Sequence, residues 1–281
     1  MADTDLRGRR IGLTFHRTFS LSLPSISRVL ALSHARDGLI TAGDLCEATS
    51  LGSVYTEAMP RYARGCGLLE MGSYRLTPLG RLVCGQDPHL MHLSTLWAMH
   101  YHLSAPHGPG PAFWSYLVTK CLPFGEEVSS TDIAAAIVRF QRHNAEGPDL
   151  KERTLRSTAT VFLGSYTKSD ALGRLRLIEP VETRAGRAQV GVSRVPPLRV
   201  VAYALADYWE AHYGQQVTVS LDELAREDGF ARVMWMDHRK LDDALDGLKR
   251  EGIVDLYRVA PPYQVARLWA SKAELLARLY E

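Results

Sequence analysis

Little in this sequence marks an enzyme, a membrane protein or a secreted one. Cys46, Cys66, Cys84 and Cys121 contain no close pair. That spacing argues against a zinc ribbon or a redox dithiol and fits reduced core thiols of a cytoplasmic protein. No apolar run approaches the length of a bilayer-spanning helix. Residues 1–10 are polar, so no secretory segment is expected there. Gly108-Pro109-Gly110 sits in a proline-rich breaker and not between a strand and a helix, and no Gly-x-Ser-x-Gly elbow occurs. The expectation is a cytoplasmic, non-enzymatic protein with no cofactor and no membrane partner.

The histidines do not alter that expectation. His89, His92, His100, His102 and His107 are close in sequence, yet no two are four apart as in a helical zinc site. Helix and loop positions without a metal are expected. Arg28 and His34 have a ribonuclease-like separation, but six helical residues turn through about 600° and leave the two on different faces.

What the chain does contain is one pattern written three times: helix, capped helix, third helix, hairpin. In the first unit Pro24 opens a helix with Ile26, Val29, Leu30 and Leu32 at helical spacing, and Gly38 stops it. Thr41 caps a second helix with Asp44 in capping-box position, and Ser53 is the expected N-cap of a third over 54–65. Pro60 is expected to kink or shorten that third helix. Gly67-Leu68-Leu69-Glu70 and Tyr74-Arg75-Leu76-Thr77-Pro78-Leu79-Gly80 then read as a closing hairpin. A connector follows over 87–105, with Leu90, Leu93, Leu96, Trp97 and Tyr101 facing a core.

After the breaker at 106–111, Phe113, Trp114 and Leu117 begin the second unit. Ser129 or Ser130 caps a helix, a turn is expected at 144–148, and a long helix over 149–167. Strands at 175–181 and 188–195 enclose a tip at 182–187. Pro196-Pro197 opens the third unit. There Ser220 and Glu223 form a capping box, a third helix covers 237–251, Pro261-Pro262 turns the wing, and a last helix covers 272–280. Trp97, Trp114, Trp209 and Trp235 are expected as core anchors.

The fold expected is mainly α with small β-hairpin wings: tandem winged helix-turn-helix units. The expected division is 1–105, 106–195 and 196–281. A net charge of +2 says nothing about nucleic acid, but the distribution does. Lys151 to Arg199 holds ten Lys and Arg against four Asp and Glu, whereas Val200 to Ala260 holds seven against twelve. Different partners are expected for the two regions. Candidate contacts to double-stranded DNA are Arg61, Arg64 and Arg75 in the first unit. In the second they are Lys151, Arg153 and Arg156 on the third helix, with Arg184 and Arg187 at the wing tip. Asp242, Asp243 and Asp246 on the last unit's third helix would repel phosphate, so that face is expected to bind a protein partner.

A chain-long set of short motifs resembles a bacterial and archaeal domain-of-unknown-function family, numbered four thousand and seven. The motifs are Phe15-His16-Arg17-Thr18-Phe19, Gly67-Leu68-Leu69-Glu70 with Leu76-Thr77-Pro78, Asp87-Pro88, and Thr95-Leu96-Trp97 with His100. Thr154-Leu155-Arg156, Ala202-Tyr203-Ala204-Leu205, Asp207-Tyr208-Trp209 and Ser220-Leu221-Asp222-Glu223-Leu224 complete them. Gly52-Ser53-Val54-Tyr55 departs from that family's Gly-Lys-Asn-Met. The resemblance implies an accessory component of phage-defence islands, often beside sulfur-transfer genes of the DNA phosphorothioation type, with other defence-system proteins as partners. The sequence leaves three roles open: a DNA-binding accessory or regulatory subunit, a protein-only assembly scaffold, and a repressor of its own locus.

Overall fold

The computed structural model describes residues 12–49, 52–144, 150–184 and 186–281. The chain is mainly helical, with two small antiparallel sheets among the described residues. It forms two compact units, Met1–Val192 and Ser193–Glu281.

The first compact unit takes in the stretch expected as 1–105 and that expected as 106–195 up to Val192. It begins with α1 (Leu23–Ala35), α2 (Ala42–Thr49) and α3 (Ser53–Gly65). The Thr41 and Asp44 capping box closes reciprocally: the Thr41 N–H and hydroxyl donate to Asp44 at 2.7 Å, and Asp44 N–H donates back at 3.2 Å. Gly52, not Ser53, occupies the N-cap of α3, and the helix runs through Pro60 for its full thirteen residues. The expected hairpin is reduced to one bridge, Leu69 to Leu76. Gly67 has φ +73° and would press a Cβ to 2.7 Å from the His102 ring; at Gly80 a Cβ would meet Leu68 O at 2.0 Å. These two close approaches are why glycine flanks the turn.

α4 (Pro78–Gln86) follows, capped by the Thr77 hydroxyl, which accepts from Gly80 N–H. The connector forms α5 (Leu93–Ser104), and every residue from Ser94 to Ser104 is buried. Leu93, expected in the core, is instead exposed at the helix start. A helix covered on all sides shows no single apolar stripe, which is why its sequence reads only as a half-buried connector. Asp87 fixes its entry, accepting from Met91 N–H and His92 N–H, both at 2.8 Å, and from the Thr95 hydroxyl at 2.6 Å. Asp87→Ala strips all three from a buried site and is expected to cost about 2–3 kcal/mol in urea denaturation. A loss below about 0.5 kcal/mol would show that solvent replaces the carboxylate.

Next come α6 (Ala112–Lys120), β1 (Glu127–Ser129), α7 (Ser130–Asn144), α8 (Glu152–Thr167), β2 (Ile178–Pro180) and β3 (Arg187–Val190). The turn expected at 144–148 lies almost entirely outside the described residues, as does the expected helix start at Asp149. β1, β3 and β2 pair antiparallel in that order, so β1 adds a third strand to the expected hairpin. Three-residue strands are too short to carry an alternation in sequence. Phe15, Tyr62, Phe113 and Trp114 pack edge-on, joining the N-terminal segment to α3 and α6. Trp114 Nε1 donates to the Tyr166 hydroxyl, which lies 2.9 Å from His100 Nδ1.

The second compact unit repeats the strand arrangement, with a short extra helix and a terminal one. It consists of α9 (Leu198–His212), β4 (Thr218–Ser220), α10 (Leu221–Ala225), α11 (Phe230–Val233), α12 (His238–Arg250), β5 (Val254–Tyr257), β6 (Gln264–Arg267) and α13 (Lys272–Ala277). Its sheet order is β4, β6, β5. The four expected tryptophan anchors, Trp97, Trp114, Trp209 and Trp235, are all buried. No described helix is long and apolar enough to cross a membrane.

Candidate nucleic-acid interface

The basic candidates of the second stretch gather at the start of α8 and around the β2–β3 turn. Lys151 is the N-cap of α8, and Arg153 and Arg156 are exposed in its first turns, three apart and so on neighbouring faces. Arg156 pairs with Glu152 at 2.6 Å. In the turn, Arg184 pairs with Glu127 on β1 at 2.9 Å, and Arg187 lies 3.7 Å from Asp132 on α7. All of these pairs are solvent-exposed, so they exchange readily for another anion.

The first-stretch candidates fare differently. Arg64 is buried, and its Nε donates to Ser73 O at 3.0 Å while its guanidinium lies over the Tyr74 ring. The wing folds back over α3 and uses this arginine as its anchor, so Arg64 is not a surface contact. Arg61 is half-buried on α3, and Arg75 is exposed beyond the bridge.

Sequence reasoning missed a cleft of about 710 Å³ in the first compact unit. The N-terminal segment contributes Thr14, His16, Arg17 and Thr18, α3 contributes Val54, and α8 contributes Arg153, Thr154 and Ser157. Arg17 and Thr18 take positive φ, +46° and +72°, which turns the segment sharply over α8. His16 is its pin. Thr18 N–H donates to His16 Nδ1 at 3.0 Å, which places the ring proton on Nε2, and that nitrogen sits 3.1 Å from Thr158 Oγ1. The Thr158 hydroxyl donates onward to Thr154 O. Burial pulls the imidazole down to about 4, so the ring is neutral at neutral pH. The partner of His16 lies on α8, 142 residues along the chain.

Three of the clustered histidines are tied into structure. His92 caps α5 through Nδ1, His100 faces Tyr166, and His107 Nε2 lies 3.2 Å from the Tyr101 hydroxyl. Among the described residues, no group of three or more His, Cys, Asp or Glu is arranged to hold a metal ion.

Two separated motifs, around His16 and around Thr154, thus meet at one surface feature. A family model described as "Protein of unknown function (DUF4007)" matches residues 46–280. The chain belongs to this family. No curated protein matches it. Two solved structures of SspB share its fold, one of them magnesium ion-bound, with TM-scores of 0.77 and 0.75. Each is 19% identical, and the match covers 95% of this chain and 86% of that one.

In this DUF4007 chain the acidic candidates lie on α12, but not as a free acidic face. Arg258, from the β5–β6 turn, reaches Asp246 at 2.8 Å and Asp242 at 3.1 Å, and His238 lies 3.4 Å from Asp242. Asp243 is exposed. The face is therefore less negative than its sequence implies, because the wing returns a cation to it. The same wing displays apolar side chains, with Val259 fully exposed and Tyr257 and Tyr263 about half so.

Proposed function

We propose that this protein is a non-enzymatic DNA-binding accessory or regulatory subunit of a prokaryotic anti-phage defence system, acting in the cytoplasm. The observation that carries the reading is the placement of Lys151, Arg153 and Arg156 at the start of α8, with Arg184 in the following β2–β3 turn and Arg187 at the first position of β3. Helix, strand, helix, helix, strand, strand, with the first strand beside the last, is the order of a winged helix-turn-helix. In that fold the third helix enters the major groove and the wing reaches adjacent backbone, the two places where these cations lie. The second compact unit supports a tandem arrangement through the same sheet order. The family resemblance supplies the defence setting, with the phosphorothioation type as its nearest context.

A protein-docking role for the last unit is favoured by the exposed Tyr257, Val259 and Tyr263 of the wing, whose Arg258 reaches Asp242 and Asp246 on α12. Aromatic and apolar side chains ringed by charge suit a protein partner better than phosphate.

The test is a binding titration of the full chain against two unrelated duplexes over a salt series. Comparable affinities that fall steeply with salt are expected for phosphate-dominated contact. A strong preference for one promoter sequence would favour a repressor. Absence of duplex binding at ordinary salt, with a partner retained in a nuclease-treated pull-down, would leave the assembly scaffold.

A further inference from the structure

The cleft between the N-terminal segment and α8 differs chemically from the wing surface. Among the described residues its charged lining consists of Arg17 and Arg153, with no carboxylate. Arg153 has no ion-pair partner among the described residues. Arg17 gives only its Nε to Glu57, at 2.8 Å, leaving the Nη hydrogens available. The hydroxyls of Thr14, Thr18, Thr154 and Ser157 carry no hydrogen bond within the described residues. Two guanidinium groups and four unengaged hydroxyls gathered in one concavity are arranged for an acceptor from outside.

The lining also limits what that acceptor can be. Among the described residues the one aromatic ring in the lining is the His16 imidazole, which is pinned at both nitrogens, and the apolar contribution is Val54 and the threonine methyl groups. Recognition would then fall on an oxyanion and not on a base. The cleft volume of about 710 Å³ lies in the range of small-ligand sites and exceeds what a bare inorganic anion needs. His16 forms part of the wall with both ring nitrogens committed, so it positions the segment and leaves binding to Arg17 and Arg153.

We infer that this cleft is a binding site for the phosphate group of a nucleotide, held by the Arg153 and Arg17 guanidinium groups with the Thr154 and Ser157 hydroxyls. The inference deepens the nucleic-acid reading for Arg153 and stands apart from it in its ligand, since a phosphate on a free nucleotide and one in a DNA strand offer the same chemistry. Calorimetric titration of the full chain at low salt tests it with four probes: inorganic phosphate, a nucleoside 5′-monophosphate, the same nucleoside without phosphate, and a short single-stranded oligonucleotide.

Binding of the monophosphate at least about tenfold tighter than the nucleoside is expected. Arg153→Gln should weaken it about tenfold and Ser157→Ala by a smaller factor, with unchanged thermal midpoints. Arg226→Gln, the same charge change in the other compact unit, should leave it unaltered. Dependence on Arg153 seen for the oligonucleotide alone would assign the phosphate to a DNA strand and support the site. Equal affinity for nucleoside and monophosphate, combined with oligonucleotide binding that ignores Arg153→Gln, would overturn it. Loss of duplex binding with monophosphate binding retained would count against the DNA-binding proposal and leave this site standing.

Discussion

Changing Lys151, Arg156, Arg184 and Arg187 together to Ala is expected to weaken duplex binding about equally for unrelated sequences. The slope of log affinity against log salt should flatten by about 3 to 4 units. Each phosphate contact releases condensed counterions and contributes roughly 0.9 to that slope. Three of the four are ion-paired, to Glu152, Glu127 and Asp132, but those pairs are exposed and a phosphate can take the place of the carboxylate. None of the four side chains is buried, so the variant should keep its fold, as circular dichroism can verify. Titrations of wild type and variant over a salt series measure the effect. An unchanged slope would reduce these residues to a solvated face.

Acid should loosen the first compact unit through His16. Burial favours the neutral ring, so the folded chain takes up its proton only near pH 4, whereas the unfolded chain does so near the ordinary histidine value of 6.5. The stabilising contribution is therefore complete above about pH 6.5 and is lost as pH falls toward 4, by roughly 3 kcal/mol. His16→Gln removes the titration while keeping a polar side chain. Urea denaturation at neutral pH and near pH 4 should show the wild type losing about 3 kcal/mol more than this variant. Equal losses would mean that His16 does not titrate in this way. At neutral pH, His16→Ala removes a packed ring and two hydrogen bonds and is expected to cost roughly 2–4 kcal/mol. That exceeds the roughly 1 kcal/mol of an ordinary packed polar contact, because the ring ties the N-terminal segment to α8.

The sequence by itself determined the local features. The Thr41–Asp44 capping box, the Ser220 cap (which accepts from Asp222 N–H without the expected Glu223 bond), the helix starts at Pro24 and Pro196-Pro197, the glycines around the first wing and the four tryptophan anchors depend on interactions within a few residues. Each leaves a signal of type and spacing. The family resemblance was legible for the same reason, since short motifs in a fixed order survive without any knowledge of their contacts. Contacts between residues far apart in the chain were decided only by the tertiary structure. It buried Arg64 under the Ser73–Tyr74 turn, which no helical pattern foretells, because an arginine stem packs as well as it solvates. It buried α5 on every side within the first compact unit, where the sequence showed only one core-facing set of residues. It also brought β1 to β3 from sixty residues away in register, Glu127 to Gln189 among them, and Arg258 to the acidic face of α12. The cleft is the clearest case. Arg153 was legible only as a cation on a third helix and Arg17 had no role in the sequence, and the pin from His16 to Thr158 puts both on one cavity wall.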